Sequence, residues 1–353
     1  MGKHSENKEK KKGKALKIIG ITFLTILVIL VILAGIALGF VYSKLGKMTV
    51  EKIDETAIGI TKETEERLAE YRNIALLGID SRADDYGLGN RSDCIIIASL
   101  NQKTKDIKLI SVYRDTYMQI EEKGKEKLDK VTHAYSFGGA QNALKALNTN
   151  LDMNITEYVT VNFDAVIAAV DAINGVTIDI DEAELSYINK YIDSTSQSSG
   201  IKSSHITKTG KQTLDGVQAV AYSRIRYTSG GDYKRTERMR TVIEAMLSKV
   251  KTLSVGQLNK LVDVILPRVS TNISGTEILA LIPSVASFNI TESMGWPYET
   301  RGKTIDRWYG VPVTLESNVL KLHQEVFEQK DYVVNDTIKS ISQQIIKNTG
   351  YDK

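Results

Sequence analysis

The sequence predicts a layered α/β domain with a central mixed sheet, preceded by one N-terminal transmembrane helix. Three observations predict it. Short apolar strands follow one another across polar turns between residues 73 and 113, the pattern of an antiparallel meander. Farther on, strands alternate with helical stretches, the pattern of a sheet covered by helices. The chain also opens with a lysine-rich segment followed by a long uncharged apolar run.

The chain has 353 residues, 42% hydrophobic and 25% charged, enough for one large domain or two small ones with a proper core. A net charge of +3 is too slight to argue for nucleic acid as a partner. A single cysteine, Cys94, rules out an intrachain disulfide and any Cys-rich metal site. Next to Ile95-Ile96-Ile97 it reads as a buried, inert thiol.

From Ile18 to Tyr42 run roughly 25 uncharged, mostly apolar residues, ~37 Å as a helix against a ~30 Å hydrocarbon core. A cleaved signal peptide has a shorter apolar region and a small-residue cleavage site, so this run reads as an uncleaved anchor. Lys8, Lys10, Lys11, Lys12, Lys14 and Lys17 put the N-terminus in the cytoplasm; Lys44 and Lys47 weaken that asymmetry without reversing it. The expected organisation is a cytoplasmic tail over 1–17, a transmembrane helix over 18–42, a charged juxtamembrane stalk or short helix over 43–71, and an extracellular domain over 72–353.

Within that domain, Ile74–Leu77 is a buried strand that stops at Gly78, with Asp80 just beyond. Ser81–Asn90 is a loop, and Arg91-Ser92-Asp93 leads into a second strand, Cys94–Leu100. After a polar turn, Ile107–Val112 is a third strand ending at Tyr113-Arg114-Asp115. A meander brings Asp80, Asp93 and Arg114 to one edge of the sheet. Two carboxylates placed together are costly unless a proton or a cation neutralises them, and a hard divalent ion is the simplest solution. Each also fits a turn or strand-edge aspartate bonded to backbone.

Lys130–Asn150 holds a Gly-Gly pair and then a helix, Ala140–Leu147; His133 reads as structural beside the helix entry. Tyr158–Val161 and Gly175–Ile180 are strands flanking an apolar helix, Phe163–Ile173. Tyr191–Gly210, rich in Ser, Thr and Lys, is expected as a mobile loop or lid. Helices are expected at Thr241–Leu253, Gly256–Leu266, Thr276–Ile282 and Leu315–Phe327, with an amphipathic stretch over Asp331–Lys353. Trp296-Pro297 and Trp308–Pro312 mark loops, and no Walker motif or G-x-S-x-G elbow is present.

The densest chemistry lies in Ala221–Arg240. Val217–Tyr227 reads as ending in a strand, which would put Arg224 and Arg226 on one face. Ser229-Gly230-Gly231-Asp232 is a turn, and Arg235, Arg238 and Met239 follow at helical spacing. Strand, turn and helix would cup four guanidiniums around a phosphate or pyrophosphate. The same composition also fits a solvated basic helix start with two strand-edge arginines.

The segments NIALLGID (Asn73–Asp80), Arg91-Ser92-Asp93, SVYRDT (Ser111–Thr116), KVTHAY (Lys130–Tyr135), YVTVNF (Tyr158–Phe163), Asn174-Gly175-Val176, Leu214-Asp215-Gly216 and YSRIR (Tyr222–Arg226), then Gly231-Asp232, form one ordered set. With the N-terminal anchor, the set resembles the LytR–CpsA–Psr (LCP) family of cell-wall enzymes, strongly over 72–243 and more loosely beyond. The resemblance implies an LCP-type α/β/α domain and a phosphotransferase acting outside the membrane. It would move a teichoic acid, capsule or related glycopolymer from a polyprenyl-pyrophosphate carrier to peptidoglycan. Asp80 and Asp93 would hold Mg²⁺, and Arg91, Arg114, Arg224, Arg226 and Arg235 would grip the pyrophosphate, with Arg238 in the same substrate-binding set. Asp115 would orient neighbouring arginines, and Asp232 would sit beside the site. Met239 stands where the family usually has Gln, which removes one polar head-group contact. The polyprenyl tail would lie in an apolar tunnel.

Phosphoryl transfer needs positioning and charge neutralisation more than covalent chemistry, which suits these residues. The residues expected to carry it are Arg114, Asp115, Arg224, Arg226, Asp232 and Arg235, with Asp232 the candidate base. Two alternatives use the same site: a polyprenyl-pyrophosphate hydrolase with water as acceptor, and a non-enzymatic envelope regulator that only binds lipid. The tail before the anchor is too short for a DNA-binding domain.

Overall fold

A computed structural model of the chain describes residues 49–81, 85–274, 277 and 287–353. The basic tail, the apolar run 18–42 and nearly all of the expected helix Thr276–Ile282 lie outside the described residues. Among the described residues no helix is long and apolar enough to cross a membrane.

The elements run β1 (Thr49–Val50), α1 (Lys62–Arg67), β2 (Tyr71–Ile79), β3 (Ser92–Asn101), β4 (Asp106–Val112), β5 (Tyr117–Glu122), β6 (Lys125–Lys130), α2 (Thr132–Leu151), β7 (Glu157–Val161), α3 (Phe163–Ala172) and β8 (Val176–Ile180). They continue through α4 (Glu182–Ser199), β9 (Gly210–Leu214), α5 (Gly216–Arg224), α6 (Gly231–Val250), α7 (Val255–Ile265), β10 (Val269–Thr271), β11 (Asn289–Trp296), β12 (Thr300–Thr304), β13 (Trp308–Pro312), α8 (Leu315–Val326) and α9 (Asp336–Thr349). Among the described residues the central sheet is seven-stranded, in the order β1-β10-β7-β2-β3-β4-β11. The β2-β3-β4 meander is antiparallel, whereas β2–β7 and β4–β11 are parallel, so the sheet is mixed as expected.

Successive side chains of the central strands face opposite layers. Ile74, Leu76, Ile96, Ala98 and Val159 pack into a core shared with α3, α5, α6 and α7. Ala75, Leu77, Ile95, Ile97 and Tyr158 pack into a second core shared with α2, α8 and α9. Both faces are therefore covered, which explains why these strands are apolar runs rather than alternating ones.

Before residue 72 the chain holds a short helix, α1, and packs onto the domain: β1 pairs in parallel with β10, and Ile58 and Leu68 are fully buried. Four expectations are corrected. The expected strand over Val217–Tyr227 is helix α5 up to Arg224, started by an Asp215–Gln218 capping box, with the chain extended at Ile225. The expected lid over Tyr191–Gly210 is the second half of α4 as far as Ser199. Its Asp181–Glu184 capping box and the buried stripe Ile188, Ile192, Thr195 stabilise a helix despite its polar composition. The expected loop at Trp308–Pro312 is a strand, paired in register with β12. The helix expected at Ala140–Leu147 begins earlier, at Thr132, and is broken at Gly138-Gly139, where the backbone leaves helical geometry.

One buried ion pair ties the arginine-bearing helix to the rest of the helical layer. Arg238 of α6 bonds through Nε to Glu184 of α4 at 2.7 Å, and both are almost wholly buried. Its other nitrogens donate to the Ile225 carbonyl at 3.1 Å and the Thr228 hydroxyl at 2.8 Å. Glu184→Ala leaves that guanidinium buried without its counter-charge. The expected cost is about 3–5 kcal/mol in chemical unfolding.

Candidate functional site

Two cavities meet at one edge of the sheet. The larger, about 540 Å³, is lined by Arg91, Arg114, Arg224, Arg226 and Arg235, with Asp80, Asp93, Lys190, Tyr191 and Ser194 also in its wall. The second is a narrow apolar slot of about 90 Å³ between β2, β3 and β7 on one side and α3, α5 and α6 on the other. Leu76, Ile79, Val159, Val166, Val220, Val242, Ile243 and Met246 are among its walls. Asp93, Phe163 and Met239 line both, so one space is polar at its mouth and apolar within.

The meander delivers the acidic side as the sequence predicts. The Asp80 amide donates to the Arg91 carbonyl at 3.4 Å, closing the loop between β2 and β3. Arg114, just past β4, reaches back to β3, its Nη1 2.8 Å from Asp93 Oδ1. Its Nε lies 3.6 Å from Asp115 and 3.9 Å from Asp232. Burial works against the Arg114 charge, but Asp93, Asp115 and Asp232 outweigh it and raise its pKa.

The basic side comes from the α5–α6 connection. Arg224 and Arg226 reach the same cavity, although Arg224 ends a helix and Arg226 follows it in the loop. Arg224 donates to Thr195 at 2.7 Å and lies over the Phe163 ring at 5.4 Å. Burial lowers its pKa. The Arg226 amide donates to the Tyr191 hydroxyl at 3.2 Å. The α4 residues Tyr191 and Thr195 are thus functional supports that the loop reading missed; the i, i+4 spacing of Ile188 and Ile192 was the available signal. Gly230 and Gly231 both take positive φ at the start of α6, so the turn places Asp232 and Arg235 beside Arg226. Asp232 lies 2.9 Å from Arg235 and 3.6 Å from Arg226. Its pKa is raised chiefly by burial, against the pull of Arg114 and Arg226.

Arg235 is almost fully buried, and Nε of both Arg114 and Arg235 lacks a hydrogen-bond partner within the described residues. Both nitrogens are buried; what suits the cavity to an anionic ligand is that five arginines line it. Arg238 is not brought to this cavity; its buried pair with Glu184 makes it a positioning residue. Asp115 is held by Lys130 at 2.7 Å, a partner that sequence reasoning did not identify because the β5–β6 hairpin was not foreseen. His133 pairs with Asp129 at 3.0 Å and does not line the cavity. Cys94, expected as buried, is partly buried in the wall of the apolar slot, and desolvation pushes its thiol up to about 12. Asp80 and Asp93 both line this cavity and are the residues that could hold a divalent cation there; among the described residues no group of three or more Asp, Glu, His or Cys side chains comes together.

Arg114→Met removes the charge that holds Asp93, Asp115 and Asp232 together. Asp232, already raised by burial, then loses one of the cations that oppose that rise, so its carboxyl moves further up. The expected stability loss of about 1–3 kcal/mol is largest at neutral pH, where Asp232 is ionised, and shrinks as acid protonates it. Melting temperatures of both proteins across that pH range measure it.

The LytR_cpsA_psr family model matches residues 39–321. A protein of Enterococcus faecalis, the polyisoprenyl-teichoic acid–peptidoglycan teichoic acid transferase TagU, is 33% identical over 228 residues, 64% of this chain and 67% of that protein. The solved structure of TagT bound to LIIa-WTA superposes with a TM-score of 0.55 at 22% identity, over 86% of this chain and 99% of that one. A structure of the LytR-CPS2A-psr family protein YwtF (TagT) with bound octaprenyl pyrophosphate lipid superposes at 0.50 and 22% identity, over 86% and 97% of the two chains. These structures share the α/β fold with its central mixed sheet.

Proposed function

Because this chain belongs to the LytR–CpsA–Psr family, we propose that it is a phosphotransferase moving a glycopolymer of the teichoic acid class from a polyprenyl-pyrophosphate carrier onto peptidoglycan. The observation that carries the reading is the meeting of the five-arginine cavity with the apolar slot. A pyrophosphate would sit among the arginines, and its isoprenoid tail would enter past Phe163 and Met239. Met239 puts a thioether at that mouth, extending the apolar wall where the family usually has a polar amide.

In the transfer, a sugar hydroxyl of the wall attacks the glycopolymer-side phosphorus. The bond from that phosphorus to the bridging oxygen breaks, and polyprenyl monophosphate leaves. A phosphodiester joins polymer to wall, and the hydroxyl proton passes to Asp232. Arg114, Arg224, Arg226 and Arg235 hold the diphosphate and meet the charge gathering on the leaving oxygen, and partial burial strengthens each contact. Asp115, fixed by Lys130, keeps Arg114 in line. Asp80 and Asp93 would hold Mg²⁺, which supplies further neutralisation of the phosphate oxygens. Residues 18–42 would anchor the chain, with this domain outside the membrane.

Incubation with Mg²⁺, a polyprenyl-pyrophosphate-linked saccharide and peptidoglycan oligomers tests the reading by mass spectrometry. A phosphodiester-linked product is expected, reduced roughly 10- to 100-fold by Arg226→Ala and lost with Asp93→Ala or a chelator. Free phosphorylated saccharide without linkage would instead mark water as the acceptor.

The raised pKa of Asp232 sets a pH dependence. The base works only when ionised, so the rate is full above that raised pKa and falls as pH drops through it. The acid limb is expected above the ordinary carboxylate range. Asp232→Asn should remove that limb and slow transfer about 100-fold or more.

A further inference from the structure

A third cavity, about 210 Å³, lies on the far side of Asp232 from the arginines. Asp115 and Asp232 form part of its wall, with Tyr113, Tyr233, Thr300 and Trp308. No cationic side chain is among its lining residues and its walls are mostly apolar, unlike those of the neighbouring cavity. Asp232 separates the two, pairing with Arg226 and Arg235 on one side and facing this groove on the other.

The groove is built around an aromatic platform. Trp308 starts β13, and its indole lies across the cross-strand pair Gly302–Gly310. A Cβ at Gly302 would come within 2.8 Å of the indole nitrogen, so glycine is what lets the ring lie close to the hairpin. The hairpin is tied to the motif that carries Arg114, because the Gly310 amide donates to the Asp115 carbonyl at 3.0 Å. Trp308 remains 46% exposed. Opposite the hairpin, Tyr113 and Tyr233 stack edge to face, with centroids 4.5 Å apart.

We propose that this groove binds a sugar ring of the acceptor glycan, with Trp308 as its stacking platform and Asp115 and Asp232 receiving its hydroxyls. The proposal rests on the transferase reading and assigns that reaction its second substrate site. The ring faces of a sugar carry C–H bonds that suit the electron-rich face of an indole, and its rim carries hydroxyls that suit carboxylate acceptors. A hydroxyl seated against Asp232 stands one side chain away from the arginine-held phosphate, the closeness that transfer requires.

The test uses the purified full chain and soluble uncrosslinked strands of alternating N-acetylglucosamine and N-acetylmuramic acid. Trp296 is fully buried, so a change in tryptophan fluorescence on glycan addition reports on Trp308. Saturable binding is expected without any lipid donor, weakened roughly tenfold or more by Trp308→Ala and largely kept by Trp308→Tyr. In the transfer assay Trp308→Ala should raise the acceptor KM by a similar factor and leave the donor KM unchanged. Absence of glycan binding by the native chain, or an acceptor KM that Trp308→Ala does not move, would overturn the proposal. Glycan binding that depends on Trp308 without any transfer would support the groove and count against the transferase reading alone.

Discussion

Arg114 is the residue on which the site depends. It stands past the end of β4 and faces three carboxylates drawn from different parts of the chain: Asp93 on β3, its neighbour Asp115, and Asp232 at the start of α6. Its guanidinium offsets the mutual repulsion of three partly buried carboxylates at that sheet edge. With it, the acids become the frame that aims Arg226 and Arg235 through Asp232. The cationic cavity is therefore not a loose gathering of positive charge; Arg114, Arg226 and Arg235 are held by carboxylates.

Topology converts that frame into an amphipathic site. The antiparallel meander brings the loop after β2, the start of β3 and the end of β4 to one edge. The helical layer over the same strands brings α5 and α6 down with the arginines on their connection, and the Glu184–Arg238 pair pins that connection to α4. The apolar slot is the gap between the sheet and this layer. A head group and a tail are thus accommodated by two features of one interface, the charged rim of the sheet and its apolar face. Beside Asp232, the β12–β13 hairpin adds a surface of different character, aromatic and mostly apolar.

Much of this was legible in the sequence where a short-range pattern decided the structure. Continuous apolar runs separated by polar turns located β2, β3 and β4, and their antiparallel order alone brought Asp80, Asp93 and Arg114 together. The reading failed where local signals competed. Arg224 and Arg226, two apart among β-branched residues, suggested a strand, yet the Asp215–Gln218 capping box starts a helix there. The serines and threonines of α4 hid a buried stripe of Ile188, Ile192 and Thr195. Arg238 looked like one more phosphate ligand because helical spacing puts it near Arg235; its role was decided by Glu184, 54 residues away, which no local pattern could indicate. Lys130 and Trp308 were missed for a similar reason, since each gains its meaning only from the hairpin that positions it.

Calorimetric titration of the full chain with a polyprenyl pyrophosphate, the matching polyprenyl alcohol and inorganic pyrophosphate tests the two-part site most directly. If polar rim and apolar slot bind one molecule, the intact lipid binds much more tightly than either half. Arg235→Ala should then weaken the lipid and the inorganic pyrophosphate alike while leaving the alcohol unchanged. An alcohol that binds as tightly as the pyrophosphate lipid, or a lipid affinity untouched by Arg235→Ala, would contradict the account.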